Sequence, residues 1–350
     1  MRPDELRPTR LKWWWMAGAI VLLLGTGLLA IMLGPVDLPA SSVVRSMVDR
    51  VPFADVVSGL DRRQEAILWE LRMPRVVLGV LVGAMLAIAG GAYQGSFRNP
   101  LADPYLLGVA AGAGLGATLA IGYGPDTTGW PIDPVPVFAF VGGLVGVALA
   151  YLIGYSVRVG RTAVTLILAG VAVAAFLTAI QTYLQQRNAQ TLREVYGWIL
   201  GRLATVGWGE VLLIVPYVLL CSLVILGGRR LLDVLAVGDD EAGSLGIDPA
   251  KVRVVIVLAA TLGTAAAVSV SGLIAFVGII VPHTVRIMFG TSYRIVLPMS
   301  LVLGGVFLVF ADLLARTVIA PGELPIGVIT AFFGAPFFAL VLKTSRGVAT

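Results

Sequence analysis

Long apolar stretches, separated by short segments that hold most of the charge, are the feature that most constrains how this chain can fold. Only 13% of its 350 residues are charged, whereas a soluble domain has about 25%. The stretches are too long for buried core helices and reach the roughly 20 residues that a helix needs to cross a bilayer. The sequence also has 42 glycines, and small residues let membrane helices approach closely. We therefore predict an all-α, polytopic membrane protein.

Ten segments are long and apolar enough to be predicted spans. Their approximate bounds are 13–34, 76–95, 104–124, 134–157, 162–184, 211–228, 252–269, 273–290, 295–311 and 326–342. The seventh and eighth are separated by an argument from charge, because no Asp, Glu, Lys or Arg occurs between Val254 and Val285. One helix of that length would span about 48 Å, well beyond a ~30 Å hydrocarbon core. A hairpin that turns at 269–272 is predicted instead.

Charge also predicts the topology. An even number of spans places both termini on one side, and the basic residues near the N-terminus assign that side to the cytoplasm. Residues 1–12 are interpreted as a cytoplasmic tail rather than a cleaved signal peptide, because no small-residue cleavage site follows a short apolar core. The longest predicted non-spanning segment is an outer loop at 35–71, where a short surface helix is expected. The whole chain, 1–350, is predicted to form one membrane domain.

Several kinds of chemistry are missing from the sequence. No Gly-x-x-x-x-Gly-Lys-Ser/Thr loop occurs, so the chain does not hold ATP by that device. One Cys and one His give no cluster of metal ligands, and the basic residues collect at span ends rather than in a stripe for nucleic acid. The ionisable candidates His283 and Asp312 lie near span ends, whereas a proton-coupled carrier usually keeps such a group within the membrane. We expect neither an enzyme nor a bound cofactor or metal.

A family resemblance rests on motifs that follow one another along the chain. They are the segments Arg72–Arg75, Gln94–Pro104, Leu107–Gly116, Val237–Ile247, Gly272–Arg286, Ala311–Arg316, Glu323–Gly327 and Gly334–Phe337. In this order they resemble the FecCD family of ABC permeases, the membrane subunits of importers for ferric siderophores, haem and cobalamin. The resemblance runs from about residue 70 to the C-terminus.

The resemblance implies a type II ABC importer permease fold of about ten transmembrane helices in the bacterial inner membrane. It implies a homodimer, surrounded by membrane lipid, with the pathway on its two-fold axis. Two separate ATPase subunits would hold ATP and Mg²⁺, and an extracytoplasmic substrate-binding protein would deliver the ligand. The expected ligand is an iron complex, first a ferric siderophore and next haem or cobalamin. The alternatives are a secondary transporter of a small organic ligand and a membrane assembly subunit that transports nothing.

The segment after the second span is the first predicted pathway element. Pro100 cannot donate a backbone hydrogen bond and ends the helix, which by itself predicts an ordinary helix stop. The resemblance implies an inner gate at this position, in which Asn99 and Leu101 narrow the pathway. A second gate segment precedes the fifth span, where Thr162 keeps one hydroxyl.

The cytoplasmic segment 233–250, called the coupling segment below, is the predicted contact with the ATPase. Its acidic residues would lie in the first turn of a helix, near the positive end of the helix dipole. Its apolar residues suit docking into a groove on a partner, and a solvated loop is the alternative. The resemblance assigns the coupling role to Gly238, Asp239, Asp240, Glu241, Ala242, Leu245 and Gly246.

Basic residues at the outer face run against the positive-inside tendency. Arg72 and Arg75 are three residues apart and share one face of a helix, and Arg316 lies at the outer end of the ninth span. The resemblance implies that these three arginines receive acidic residues of the binding protein. The alternative is snorkelling of long side chains at the membrane surface.

Overall fold

The structure, a computed structural model, describes residues 10–34, 36, 38–51, 56–124, 133–156, 163–203, 207–320 and 322–345. Within these ranges the regular secondary structure is helical. The α-helices are α1 Trp13–Met32, α2 Ala40–Asp49, α3 Arg62–Ala66, α4 Met73–Ser96, α5 Val109–Tyr123, α6 Pro134–Ser156, α7 Ala163–Arg187, α8 Leu192–Ile199, α9 Gly209–Gly227, α10 Arg229–Val237, α11 Asp239–Ser244, α12 Pro249–Ser271, α13 Val277–Phe289, α14 Tyr293–Thr317 and α15 Ile326–Ser345.

Each of the ten predicted spans falls on one of these helices. Among the described residues, seven helices are long and apolar enough to cross a membrane: α1, the continuous run of α3 and α4, α6, α7, α9, α12 and α14. The other three predicted spans correspond to the shorter apolar helices α5, α13 and α15. The prediction of an all-α, polytopic membrane fold is therefore confirmed.

Helix α4 is the centre of the bundle. Every residue from Val82 to Ser96 is buried, and the helix packs along α14, α12, α13 and α9. Two glycines permit the closest approaches, because a Cβ atom on Gly83 would overlap the carbonyl oxygen of Gly304 and one on Gly90 would overlap that of Gly278. Small residues let the backbones of membrane helices touch in this way.

The predicted outer loop at 35–71 contains more helix than expected. A short surface helix is present as α2, of which only Val43 and Ser46 are buried. From Arg62 onwards the chain is helical without interruption into α4, so the irregular part ends about ten residues earlier than the predicted bound.

The helical run into α4 passes through a π-helix at Ile67–Arg72, and Pro74 accounts for the change of hydrogen bonding there. Proline has no N–H to donate to the carbonyl four residues earlier, which belongs to Glu70. That carbonyl accepts a hydrogen bond from the backbone N–H of Gly207 at 2.7 Å instead. The freed carbonyl thereby connects the start of α4 to the segment before α9.

The predicted hairpin is present as α12 and α13, but it turns later than 269–272. Ser269 and Ser271 still belong to α12, because their hydroxyls donate to carbonyl oxygens of the preceding turn at 2.8 and 2.9 Å. The chain reverses between Gly272 and Phe276, which have φ angles of 68° and 70°. Both serines lie in the predicted turn, whereas in the structure they belong to the last turn of α12.

Candidate transport sites at the two ends of the bundle

Charged side chains collect at the two ends of α4. Arg72, Arg75 and Arg316 mark one end, called the arginine end, and Arg98 and Asp239 mark the other, called the α11 end. Helix α4 has 24 residues, so the two ends lie about 36 Å apart along its axis.

At the arginine end, two arginines cap the C-terminus of α1. The last carbonyls of a helix have no partner within the helix. Arg72 donates to the carbonyl oxygens of Ile31 at 2.7 Å and Met32 at 3.0 Å, and Arg316 donates to that of Ala30 at 2.8 Å. A positive charge at this position also complements the helix dipole. Both arginines are buried, so they fasten α1 to α4 and α14.

Asp312 joins the third arginine to this cap. Its carboxylate is only 3% exposed, accepts hydrogen bonds from Nε and Nη2 of Arg75 at 3.0 and 2.8 Å, and lies 3.0 Å from Nε of Arg316. The same guanidinium of Arg75 donates to Glu323 at 3.0 and 2.9 Å. A guanidinium fork suits such bidentate contacts with carboxylates. Arg75 is therefore shared between a buried carboxylate and the exposed carboxylate of Glu323.

These contacts show where the three predicted docking residues lie. The guanidinium groups of Arg72 and Arg316 are enclosed by protein, and Arg75 keeps 15% of its side chain exposed. All three have partners within the chain, which explains how arginines can occupy an end of the bundle where few were expected. The role of the three arginines in docking stays a prediction. The Arg75–Glu323 pair is the part of this cluster that a partner protein can reach.

At the α11 end, Asp239 is the first residue of α11 and contacts arginines from two other segments. Arg253 of α12 donates from Nη2 to its two carboxylate oxygens at 3.0 and 3.3 Å, and Arg98 donates to the same carboxylate from the loop after α4. Arg253 also donates through Nε to the carbonyl oxygen of Ser96 at 2.7 Å. Hydrogen bonding from Arg253 lowers the pKa of Asp239 below its ordinary value, and the charge of Arg98 acts in the same direction.

The other predicted coupling residues divide between a buried and an exposed side of α11. Ala242 is fully buried and Gly238 is buried beside it, so this side is attached to the bundle. Leu245 directly follows α11 and is 68% exposed. The exposed remainder of the predicted set consists of Asp240, Glu241 and Gly246.

The predicted gate residues after α4 form a compact turn. Arg98 has a φ angle of 49°, and the side-chain oxygen of Asn99 accepts the backbone N–H of Leu101 at 2.9 Å. The turn leaves Pro100 exposed and Leu101 half-buried. The gate role of this loop stays a prediction, and Thr162, the residue assigned to the second gate segment, lies outside the described residues.

The sequence patterns did not reveal which groups the arginines contact. Asp312 and Arg316 are four residues apart on a helix, a spacing at which opposite charges meet, so this pair could have been found. Arg98 and Asp239 are 141 residues apart, and no local pattern connects them. In the described ranges, no three His, Cys, Asp or Glu side chains come together as a metal site would require.

Among the described residues, a helical bundle with seven helices long and apolar enough to cross a membrane defines the class, a multi-pass membrane protein. The chain belongs to the FecCD transport family, whose model matches residues 22–344. The match begins before residue 70, so the similarity also includes most of α1 and the outer loop. The chain is accordingly a permease subunit of an ABC importer, and the prediction that it is not itself an enzyme is confirmed.

Two relatives and one solved structure illustrate the similarity. The cobalamin import system permease protein BtuC of Halobacterium salinarum is 40% identical over 81% of this chain and 75% of its own length. The iron(3+)-hydroxamate import system permease protein FhuB of Bacillus subtilis is 36% identical over 95% of this chain and 83% of its own. A metal-chelate type ABC transporter in an inward-facing conformation has 28% identity and a TM-score of 0.81, covering 95% of this chain and all of that chain.

Proposed function

We propose that two copies of this chain form the translocation pathway of an ATP-driven importer. The observation that carries the proposal is the coupling segment, which presents the exposed Leu245 at one end of a membrane bundle and is bonded, through Asp239, to the loop that follows α4. ATP and Mg²⁺ would be held by two ATPase subunits that contact this segment. The family assignment disfavours the alternatives of a secondary transporter and of an assembly subunit.

In this proposal the α11 end faces the cytoplasm, both termini are cytoplasmic and the membrane is the bacterial inner membrane. The distribution of basic residues supports that orientation. Trp15 at the start of α1 packs against Phe289 at the end of α13, which brings Arg10 and Lys12 to the α11 end. The same end of the bundle carries Arg98, Arg229, Arg230, Lys251, Arg253, Arg286 and Arg294.

The arginine end then faces the substrate-binding protein. Arg75 is the residue whose charge a partner can reach, while Arg72 and Arg316 are buried and Arg316 shares the Asp312 carboxylate with Arg75. A carboxylate of the binding protein would compete with Glu323 for the Arg75 guanidinium. Because rim charges mainly set the rate and orientation of encounter, Glu323→Gln is expected to speed association at low salt and Arg75→Gln to slow it. Equal association rates for both variants and the wild type would contradict docking at Arg75.

The proposed ligand is an iron complex, with a ferric siderophore as the first candidate and haem a less favoured one. The relative named for an iron(3+)-hydroxamate supports it, and the relative named for cobalamin makes cobalamin the second candidate. All of these ligands are bulky metal chelates.

Reconstitution tests the proposal. The permease would be placed in liposomes with its ATPase, the binding protein would be added outside, and uptake of a labelled ferric siderophore, haem or cobalamin would be measured with and without ATP inside. We expect uptake of a metal chelate that requires both ATP and the binding protein. Accumulation that follows a proton gradient and needs no ATP would show a secondary transporter instead.

A further inference from the structure

Three chain segments meet at the carboxylate of Asp239, and one of them is 141 residues away in the sequence. Arg98 belongs to the loop 97–103, called the gate loop here, and Arg253 belongs to the first turns of α12. Arg253 is 27% exposed and holds the carbonyl oxygen of Ser96, at the end of α4, with its remaining N–H. The cluster therefore connects α11 to the end of α4, to the gate loop and to α12.

The gate loop begins at the end of α4, where the backbone N–H of Asn99 donates to the carbonyl oxygen of Gln94 at 3.1 Å and that of Arg98 to Gly95 at 3.4 Å, as in a common helix C-cap. Arg98 adopts a left-handed backbone conformation, which is uncommon for a residue other than glycine, and its guanidinium ends on Asp239. The next residues are Asn99, Pro100 and Leu101, whose turn is closed by the Asn99 side chain. Arg98, whose guanidinium donates to Asp239, thus directly precedes the predicted gate residues.

Asp239 differs from its acidic neighbours on α11. All three acids are exposed, Asp239 with 44% of its side chain, but the carboxylate of Asp239 receives hydrogen bonds from two guanidinium groups. An isolated surface ion pair contributes little, but several charges that form one network hold a geometry better. Leu245 remains free on the other side for a partner protein. The coupling segment therefore exposes Leu245 to a partner protein and is bonded through Asp239 to the gate loop.

We propose that Asp239 is a positioning residue that fastens the coupling segment to the gate loop, so that a displacement of α11 by the ATPase moves Asn99, Pro100 and Leu101 with it. This inference rests on the proposed function, because the ATPase is what would displace α11. The bonds between α11 and the gate loop, in contrast, lie within the permease chain itself. Without the Asp239 carboxylate, α11 could move while the gate loop stays behind.

Amide hydrogen exchange in the purified permease tests the connection independently of transport. The N–H groups of Asn99, Leu101 and Ala102 are hydrogen-bonded within the turn, so their exchange reports on its opening. Asp239→Asn is expected to accelerate exchange in the gate loop at least tenfold, and Arg98→Gln to do the same. The matched control Asp240→Asn, the same change one residue along α11, should leave this exchange as in the wild type. Unchanged exchange in both Asp239→Asn and Arg98→Gln would overturn the proposal.

A second measurement uses the reconstituted importer. In Asp239→Asn, ligand uptake per ATP hydrolysed should fall at least tenfold, because the ATPase then moves a segment that no longer carries the gate loop. Asp239→Glu, which keeps the charge, should recover part of the uptake. Wild-type uptake per ATP in Asp239→Asn would overturn the proposal. If the wild-type chain itself shows no ATP-dependent uptake, the proposed function fails, and the exchange experiment still decides whether Asp239 holds the gate loop.

Discussion

Individual residues at the arginine end show that buried charge organises this bundle. Asp312 and Arg316 are 3% and 4% exposed, and Arg75 is 15% exposed. Removing one member of a buried ionic group leaves the remaining charges without a partner, which costs about 3–5 kcal/mol in other proteins. The single carboxylate of Asp312 faces two guanidinium groups, so it is the most sensitive member of the group.

Asp312→Asn is therefore expected to lower the melting temperature of the purified protein strongly and to reduce its yield. Glu323→Gln is the matched control, because the carboxylate of Glu323 also binds Arg75 but is 43% exposed, and exposed pairs are worth about 0–1 kcal/mol. Thermal unfolding followed by tryptophan fluorescence in nanodiscs measures both. A smaller shift for Asp312→Asn than for Glu323→Gln would refute this account of the cluster.

Sequence reasoning identified the arginines at this end but gave them only an external partner. It could not see that Arg72 caps α1, because the carbonyl oxygens of Ile31 and Met32 are backbone atoms of any sequence. The sequence shows that an arginine lies at the end of a span. It does not show whether the guanidinium points outward to a partner protein or inward to cap a helix.

At the scale of helices, glycine spacing decides how closely α4 can pack. Gly90 faces the carbonyl oxygen of Gly278, and a Cβ atom would overlap it. Overpacking of a tight contact costs about 1–3 kcal/mol, so Gly90→Ala should lower the melting temperature and Gly90→Val should abolish folding. Gly25→Ala in α1 is the control, since no atom lies within 4 Å of its added methyl group. Equal melting temperatures for Gly90→Ala and Gly25→Ala would mean that α4 and α13 can separate at no cost.

The coupling segment gives a second prediction at this scale. Leu245 is exposed, so Leu245→Asp should leave the melting temperature of the permease unchanged. It should weaken association with the ATPase at least tenfold, because a carboxylate would enter an apolar groove. Co-purification of the two subunits from detergent, with the wild type in parallel, measures the loss. Association at the wild-type level would show that the segment is a solvated loop.

The element pattern was predictable because hydrophobicity alone determines where helices cross a membrane. Each of the ten predicted spans falls on a helix, seven of which among the described residues are long and apolar enough to cross a membrane, and the hairpin of α12 and α13 is present. The errors concern the ends of elements, where hydrogen bonds rather than hydrophobicity decide. Glu70 and Gly207 bond across 137 positions of the sequence to support the π-helix, and Ser269 and Ser271 bond to their own helix. Neither arrangement has a signature in residue type.

At the scale of the whole molecule, the last prediction follows from the separation between the permease, which forms the pathway, and the ATPase, which hydrolyses ATP. The chain has no phosphate-binding loop, so purified permease in nanodiscs should hydrolyse no ATP. Addition of the ATPase subunit should produce hydrolysis, and native mass spectrometry should then give two copies of each subunit. Leu245→Asp controls for contaminating ATPases, because it should abolish hydrolysis that depends on the permease and leave contaminant activity unchanged. ATP turnover by the isolated permease that persists through further purification would contradict the assignment of ATP hydrolysis to a separate subunit.

A complex with a single permease copy would contradict a pathway on a two-fold axis, because one bundle centred on the tightly packed α4 would then have to supply the whole pathway.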